Sequence, residues 1–349
     1  MKLWPSNEKK HHLINTTKPS HIIFYFKKFG DSHGYNNCGV YDAAVMTANF
    51  LQSCGHRCEI LPVNNSKDIL DNSLLHPDSI KIIEGIWVNS EIIEKISGKV
   101  LIRSHSQWSF ISDETVNLMF SYSKMPNVEL IINCKSTFEV FSKSLMENKN
   151  VSFLGNLFNF KSTVPENDRV IKSPFNVGMF GELRPMKNFV SQAMAISAFS
   201  TFLFLDSDIT VNLHINGSFE NDPILKNIKA IADNNEFLNL IEHPWLYGDN
   251  YDATIQQMDI GVQVSLTETF NQTAAKFVSN GIPIIGSHAI GWLPSNVRVD
   301  PSDPNELYDR LCEIYSKNLF KKVADKSFES LCETVIFNEK EWVKFIERL

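Results

Sequence analysis

Short runs of apolar residues recur along the chain, and segments with the apolar periodicity of helices lie between them. The first run, His21 to Phe29, is rich in aromatic and β-branched residues and predicts a strand. Val40 to Cys54 predicts a helix that Gly55 terminates, and Arg57 to Val63 predicts the next strand. Strands that alternate with helices in this way predict a parallel sheet covered on both faces.

The alternation continues until the sequence turns polar and irregular at Asn156 to Pro174, which we interpret as a linker between domains. The segments predicted before this linker are strands at Ile80 to Val88, Lys99 to His105, Val128 to Asn133 and Val151 to Leu154, and helices at Ser90 to Ile96 and Ser136 to Met146.

After the linker the pattern restarts, which predicts a second domain of the same class. Its predicted strands are Phe175 to Gly181, Val211 to Gly217, Phe237 to Glu242, Gly261 to Leu266, Ile282 to Gly286 and Asn296 to Val299. Its predicted helices are Pro185 to Phe199, Asp222 to Asp233, Tyr251 to Met258 and Glu268 to Ser279. The tail from Asn305 onward is helical, with an apolar face at Trp342, Phe345 and Ile346.

We therefore predict an α/β fold of two Rossmann-like domains, each with a doubly wound parallel sheet, facing a cleft. The length of 349 residues exceeds that of one typical core and agrees with two domains. The predicted boundaries are a polar lead-in at 1–20, a first domain at 21–172, a second at 173–330, and a C-terminal helix at 331–349 that crosses between the domains and packs across their boundary.

The overall charge narrows the range of possible functions. A formal net charge of −7 argues against a general polyanion binder, because release of counterions needs clustered Lys and Arg. No apolar run reaches the roughly 18 residues of a membrane span. The N-terminal segment lacks the apolar core of a signal peptide, so we expect a cytoplasmic protein, of the bacterial cell or an infected host.

The cysteines agree with that location. Cys54 and Cys58 form a CxxxC segment, but no second pair stands at zinc-finger spacing. We expect the six cysteines to be reduced, buried thiols, and no metal site among them.

Three groups of residues stand where strands of the second domain end, which is where ligands bind in parallel sheets. In GELRPMKN, Arg184 and Lys187 flank a predicted helix start, and two cations beside a helix dipole suit a diphosphate. A capped surface helix with solvated basic residues is the alternative. The third group, His243-Pro244-Trp245, provides an aromatic ring that could stack on a nucleobase.

The second group is the turn before the helix predicted at Glu268. It combines an acidic side chain with the free N–H groups of Thr269, Phe270 and Asn271. Such N–H groups favour an anion, and the acid can accept hydrogen bonds from sugar hydroxyls. An ordinary β-α-β turn with a capped helix is the alternative. In the first domain, His105 stands at the carboxyl end of its predicted strand, although a lone histidine is more often structural.

At these motifs the chain resembles the GT-B glycosyltransferases, in particular the retaining families similar to glycosyltransferase family 4 (glycosyltransferase group 1). GELRPMKN resembles their phosphate-binding segment, and SLTETFNQTAAKFVSNGIPIIGS resembles their donor-sugar segment. Gly39 is similar to the end of their N-terminal glycine loop. The resemblance extends over residues 21 to about 330.

The resemblance implies transfer of a hexose or pentose from a nucleoside-diphosphate sugar, with retention. The first domain would bind the acceptor and the second the donor. His105 and Glu268 would be the catalytic residues. Arg184, Lys187, Thr269, Phe270, Asn271 and Gly39 would bind the diphosphate, and His243, Trp245 and Thr273 the nucleoside. The acceptor would be a glycan, a small molecule or a modified base in phage DNA; the oligomeric state is open.

Two residues depart from the family pattern. Lys276 stands where a second Glu usually holds the ribose, and a cation cannot accept hydrogen bonds from ribose hydroxyls. Asn271 stands where Gly is common. A catalytically inactive protein that binds a nucleotide or glycan is therefore an alternative. No cofactor or metal is expected, since Asp206-Ser-Asp208 falls in a connection before a strand and predicts a turn.

Overall fold

The computed structural model describes residues 19–28, 39–144, 150–160, 171–216, 222–246 and 248–349. The polar lead-in (apart from its last two residues), the glycine loop before Gly39 and the middle of the predicted linker lie outside these residues. Two compact units are present. Among the described residues, the N-terminal unit runs from residue 19 to Asn159 and includes Val335–Leu349, and the C-terminal unit is Phe160–Thr334.

The N-terminal unit contains one six-stranded sheet in which every pairing is parallel. Its strands are β1 (His21–Lys27), β2 (Arg57–Val63), β3 (Ile80–Glu84), β4 (Val100–Ser104), β5 (Val128–Ile132) and β6 (Val151–Phe153). Its helices are α1 (Gly39–Ser53), α2 (Ser66–Leu75), α3 (Ser90–Ile93), α4 (Asp113–Ser123) and α5 (Lys135–Ser144). The strand order is β2-β1-β3-β4-β5-β6.

The strands of this sheet are apolar because both of its faces are covered. Every residue of β3, β4 and β5 is buried. One core contains Tyr25 and Ile83, and the other contains Phe24, Ile82 and Trp342. The apolar face predicted for the C-terminal helix therefore packs in the core of the N-terminal unit, with the Trp342 indole donating to the Gly155 carbonyl at 3.0 Å.

The C-terminal unit contains a second six-stranded parallel sheet, in the order β12-β11-β10-β7-β8-β9. Its strands are β7 (Phe175–Gly178), β8 (Val211–Asn216), β9 (Leu238–His243), β10 (Ile260–Gln263), β11 (Ile284–Ser287) and β12 (Arg298–Val299). Its helices are α6 (Phe189–Ser207), α7 (Pro223–Asp233), α8 (Gly248–Ile255), α9 (Gln272–Ser279), α10 (Pro304–Ser316) and α11 (Phe320–Glu347), whose last residues belong to the N-terminal unit.

The predicted helix at Pro185–Phe199 differs from the structure. Pro185 opens a separate 3-10 turn, and α6 continues to Ser207 because the first break is the left-handed backbone of Asp208. Among the described residues, one stretch, Pro185–Ser207, is long enough and apolar enough to cross a membrane by length and composition. This corrects the expectation that no apolar run reaches the length of a membrane span. Eight side chains of α6 are buried, as in the core helix of a globular domain.

Close packing of one ring on the C-terminal sheet depends on glycine. Phe277 is fully buried, and a Cβ added to Gly261 would lie 2.7 Å from its ring. We expect Gly261→Ala to lower the free energy of unfolding by roughly 1–3 kcal/mol, since overpacked cores are strained. Urea unfolding would measure this loss. Gly291→Ala is the control, because its Cβ meets no atom within 4 Å, and equal effects of the two substitutions would contradict the explanation.

Candidate functional site

Two loops meet at the carboxyl ends of neighbouring strands in the C-terminal unit. Strands β7 and β10 are paired, and one loop follows each of them. The Leu266 amide donates to the Met186 carbonyl at 2.9 Å, and the Asn188 amide group donates to the Val264 carbonyl at 3.2 Å. The two loops are therefore joined by main-chain and side-chain hydrogen bonds.

These contacts bring together two of the predicted site residues. Lys187 Nζ forms an ion pair with Glu268 Oε1, and the two side chains are 21% and 9% exposed. The Asn271 amide group donates to the same Glu268 oxygen at 3.0 Å. A charged pair is thus held in a largely buried position at the end of the sheet, where it is screened less by salt than a surface pair would be.

The neighbouring glutamines fix this arrangement. The Gln192 amide group donates to the Lys187 carbonyl at 2.6 Å, while its oxygen accepts from the Val264 amide at 2.8 Å. Gln263 donates to the Phe180 carbonyl at 2.8 Å and accepts from Asn271 at 3.1 Å. Because both glutamines are buried, each is satisfied at both ends of its amide group in the manner expected of buried polar groups.

The predicted helix start at Glu268 is wrong. Helix α9 begins at Gln272, and Asn271 is its N-cap in the left-handed region with φ of 65°. The Asn271 oxygen accepts from the Ala274 amide at 2.8 Å, so the side chain satisfies one free donor of the helix itself. The amides of Thr269, Phe270 and Asn271 consequently precede the helix and are not its first turn.

Arg184 does not join the Lys187–Glu268 pair. Its side chain is 58% exposed and forms an ion pair with Glu182 at 3.1 Å. Arg184 and Lys187 were predicted at one spot beside a helix, whereas Arg184 precedes the 3-10 turn and pairs with the nearby Glu182 of the same loop. Binding of a phosphate by Arg184 stays a prediction.

The residues predicted to bind a nucleoside lie around the end of β9 and the start of α9. His243 is the last residue of β9, and Trp245 lies in the loop that follows. Thr273 Oγ1 accepts from the Tyr251 hydroxyl at 3.3 Å. Lys276 lies over the ring of the same tyrosine, 5.4 Å from its centroid, so the residue that departs from the family pattern forms a cation–π contact here.

His243 is paired with His214, which was not predicted as a site residue. His214 Nδ1 lies 2.9 Å from His243 Nε2, and His214 Nε2 lies 3.0 Å from Asn176 Oδ1. Burial, followed by the nearby His243, lowers the pKa of His214 to about 4. Burial also lowers the pKa of His243. Both rings are therefore neutral at physiological pH and carry no positive charge toward a phosphate.

In the N-terminal unit, His105 follows β4 and both of its ring nitrogens are hydrogen-bonded. Nε2 lies 2.5 Å from Glu84 Oε2, and Nδ1 lies 3.1 Å from the Asn133 amide nitrogen. Glu84 also accepts from Arg103 at 3.1 Å, and neither charged side chain is exposed. Burial alone would raise the pKa of Glu84, but Arg103 and the bonds from His105 outweigh it, so the pKa is lowered.

The sequence offers Lys27, Lys28, Arg103 and Lys124 as cations for a basic stripe that could bind DNA, too few to predict one. Arg103 is fully buried in the ion pair with Glu84. Lys28 follows the carboxyl end of β1, whereas Lys124 precedes the amino end of β5. In a parallel sheet these ends lie at opposite edges, so the four residues form no continuous stripe.

The remaining predicted positions lie at helix ends or are cysteines, and binding of a diphosphate by Gly39 stays a prediction. Gly39 is the first residue of α1. Asp206 lies in the last turn of α6 and Asp208 is its C-cap. In the described part of the chain no three His, Cys, Asp or Glu residues are grouped so that they could hold a metal ion. Cys54, Cys58 and Cys134 are buried thiols, whereas Cys312 and Cys332 are half-buried.

Solved structures of low sequence identity have a similar fold. A glycosyltransferase from Rickettsia africae is 14% identical over 95% of this chain and 98% of that chain, with a TM-score of 0.66. HepE of Anabaena, solved with UDP-glucose, is 11% identical over 94% and 100%, with a TM-score of 0.70. A UDP-forming α,α-trehalose-phosphate synthase from Burkholderia xenovorans is 10% identical over 94% and 98%, with a TM-score of 0.63.

These neighbours are GT-B glycosyltransferases. This chain has the GT-B fold. No family model and no curated protein sequence matches it. The resemblance recognised from GELRPMKN and the Glu268 segment is therefore confirmed at the level of the fold, and the predicted α/β architecture with two parallel sheets is confirmed with it.

Proposed function

We propose that this GT-B protein is a glycosyltransferase that uses a nucleoside-diphosphate sugar as donor. The observation that carries the proposal is the Lys187–Glu268 pair at the carboxyl ends of β7 and β10. A cation and an acid held side by side offer complementary partners to a donor whose phosphate is anionic and whose sugar carries hydroxyl groups.

In the proposed reaction, Lys187 stabilises the diphosphate as it leaves the sugar. Stabilisation of charge that develops in the transition state is commonly the largest catalytic contribution. Glu268 accepts hydrogen bonds from the donor sugar, and the exposed Arg184 turns from Glu182 to a phosphate oxygen. Because the Asn271 amide group already holds Glu268, the carboxylate needs little reorganisation when the sugar binds.

The finer features come from the resemblance to the family 4-like enzymes. They are retention of the anomeric configuration, transfer without a metal ion, and a cytoplasmic location. His243, Trp245 and Thr273 contact the nucleoside in this scheme. A glycan or small molecule is favoured as acceptor over a modified DNA base, because the basic stripe that DNA would require is interrupted by burial of Arg103.

Thermal unfolding with nucleotide sugars tests the donor. UDP-glucose, UDP-galactose, UDP-N-acetylglucosamine and GDP-mannose would each be added at increasing concentration. A ligand at 100 times its dissociation constant stabilises the native protein by roughly 2.7 kcal/mol, so at least one donor should raise the melting temperature. Lys187→Met should reduce that rise. If none of the four shifts the wild-type transition, the proposed donor class is wrong.

A protein that binds a nucleotide sugar without turnover is the second candidate. Lys276 favours it, because its cation–π contact with Tyr251 occupies the region where the family pattern has an acid for the ribose. Release of nucleoside diphosphate from a donor that binds separates the two functions. Binding without any release, with or without a panel of acceptors, would support the second candidate.

A further inference from the structure

The donors and acceptors in the hydrogen bonds around His105 can be assigned by starting from Arg103. A guanidinium group only donates. Arg103 Nη2 lies 2.9 Å from the side-chain oxygen of Asn156, which must therefore accept. That oxygen also lies 3.2 Å from the side-chain nitrogen of Asn133. The orientation of both amide groups follows from Arg103 and not from a choice between equivalent atoms.

The same reasoning fixes the proton on the imidazole. The Asn133 nitrogen is a donor, so His105 Nδ1 at 3.1 Å must accept and carries no proton. A neutral imidazole then carries its proton on Nε2, which donates to Glu84 Oε2. Arg103 donates to the other Glu84 oxygen, so a closed ring of hydrogen bonds begins and ends at the same guanidinium group.

Burial makes this ring costly to rearrange. Glu84, Arg103, Asn133 and Asn156 are each at most 5% exposed. A proton on His105 Nδ1 would place an N–H group against the N–H₂ group of Asn133. Two donors would then face each other with no acceptor between them. Rotation of the Asn133 amide would in turn place its oxygen against the accepting oxygen of Asn156.

We propose that Glu84 and Asn133 are positioning residues that hold His105 as a neutral imidazole with both ring nitrogens occupied. A sugar hydroxyl then finds no free nitrogen on this ring. His105 enters the proposed transfer reaction as a fixed neutral ring, and not as an acid, a base or a hydrogen-bonding ligand. Only this last consequence rests on the proposed function, since the hydrogen-bond ring belongs to the free protein.

Nitrogen NMR of the whole protein labelled with ¹⁵N-histidine tests the inference. Comparison with His105→Gln identifies the signals of His105. At neutral pH we expect one protonated nitrogen, Nε2, with a proton that exchanges slowly with water, and one unprotonated nitrogen, Nδ1. Two protonated nitrogens, a mixture of tautomers, or a proton on Nδ1 alone would overturn the proposal.

Asn133→Asp provides the contrasting variant. It places a carboxylate oxygen beside Nδ1, so a second protonated nitrogen should appear on His105 at the same pH. Asn133→Ala removes the donor without adding an acceptor, so Nε2 should stay protonated against Glu84 while the Nδ1 signal shifts, in a protein with an otherwise unchanged spectrum. If both variants retain the wild-type nitrogen signals, Asn133 does not position the ring and the proposal is wrong.

Addition of a ligand to the labelled protein separates the positioning of His105 from the proposed function. Saturating UDP-glucose, or UDP if the sugar does not bind, should leave both His105 nitrogen signals in their wild-type protonation states. A new hydrogen bond from the ligand to Nδ1 would contradict the proposal. Absence of binding by either compound counts against the proposed donor, while the spectrum of the free protein still decides how His105 is held.

Discussion

Replacement of Lys187 by methionine is expected to slow release of nucleoside diphosphate from a bound donor by on the order of 10²–10³. Methionine keeps much of the length and volume of lysine but removes the charge that would stabilise the departing diphosphate. The partner Glu268 would then be a carboxylate that is 9% exposed and has lost its cation. Glu268→Gln keeps the shape and should also reduce the rate, since an amide presents one acceptor in place of two.

The matched control is a second lysine–glutamate pair in the same unit. Lys229 and Glu242 form an ion pair at 2.8 Å, but their side chains are 44% and 35% exposed. Lys229→Met removes an identical charge without touching the loops after β7 and β10, so the rate should be unchanged. If Lys187→Met and Lys229→Met have equal rates, charge at the strand ends is not used in turnover.

The double variant Lys187→Met/Glu268→Gln adds a measure of coupling. Residues in direct contact commonly show interaction energies of about 0.5–3 kcal/mol, so the two losses should not add. A double variant as slow as the product of the single effects would mean that the residues act independently. The proposed division of roles between diphosphate and sugar would then need two separate sites.

The strands were predicted well because a parallel sheet covered on both faces demands apolar runs. Arg57–Val63 has the predicted bounds, and β1 and β5 differ only at their ends. Helices α2 and α4 were missed, since their apolar stripes are short and their starts are marked chiefly by the caps Asn65 and Ser112. In a single sequence, a capping residue is a weaker indication of a helix than a regular pattern of buried apolar residues.

Prediction of the site failed where tertiary contacts decide the local structure. Nothing near Asn271 in the sequence shows that Gln263 will hold its amide group and allow it to cap α9. An arginine is usually a surface cation, but Arg103 lies directly opposite Glu84 in the pairing of β3 with β4. A single acid and a single base at the ends of two apolar strands were the signal for that buried pair.

A loss of stability in acid is expected from the His214–His243 pair. The pKa of His214 is about 4 in the folded protein and about 6.5 when the ring is solvated. The unfolded chain therefore binds a proton between these values and the native chain does not. The contribution is fully favourable above pH 6.5 and is lost as the pH falls, by roughly 2–3 kcal/mol at pH 4.5.

The comparison that isolates this effect is His214→Gln, whose amide group can donate to Asn176 and accept from His243. Urea unfolding of both proteins would be measured at about pH 7 and pH 4.5. The variant should lose less stability over this range, because the carboxylates that also protonate are common to both chains and cancel in the difference. His288→Gln is the control, since His288 is exposed. Equal pH dependence of His214→Gln and the wild type would show that His214 accepts its proton as readily in the folded chain as in the unfolded one.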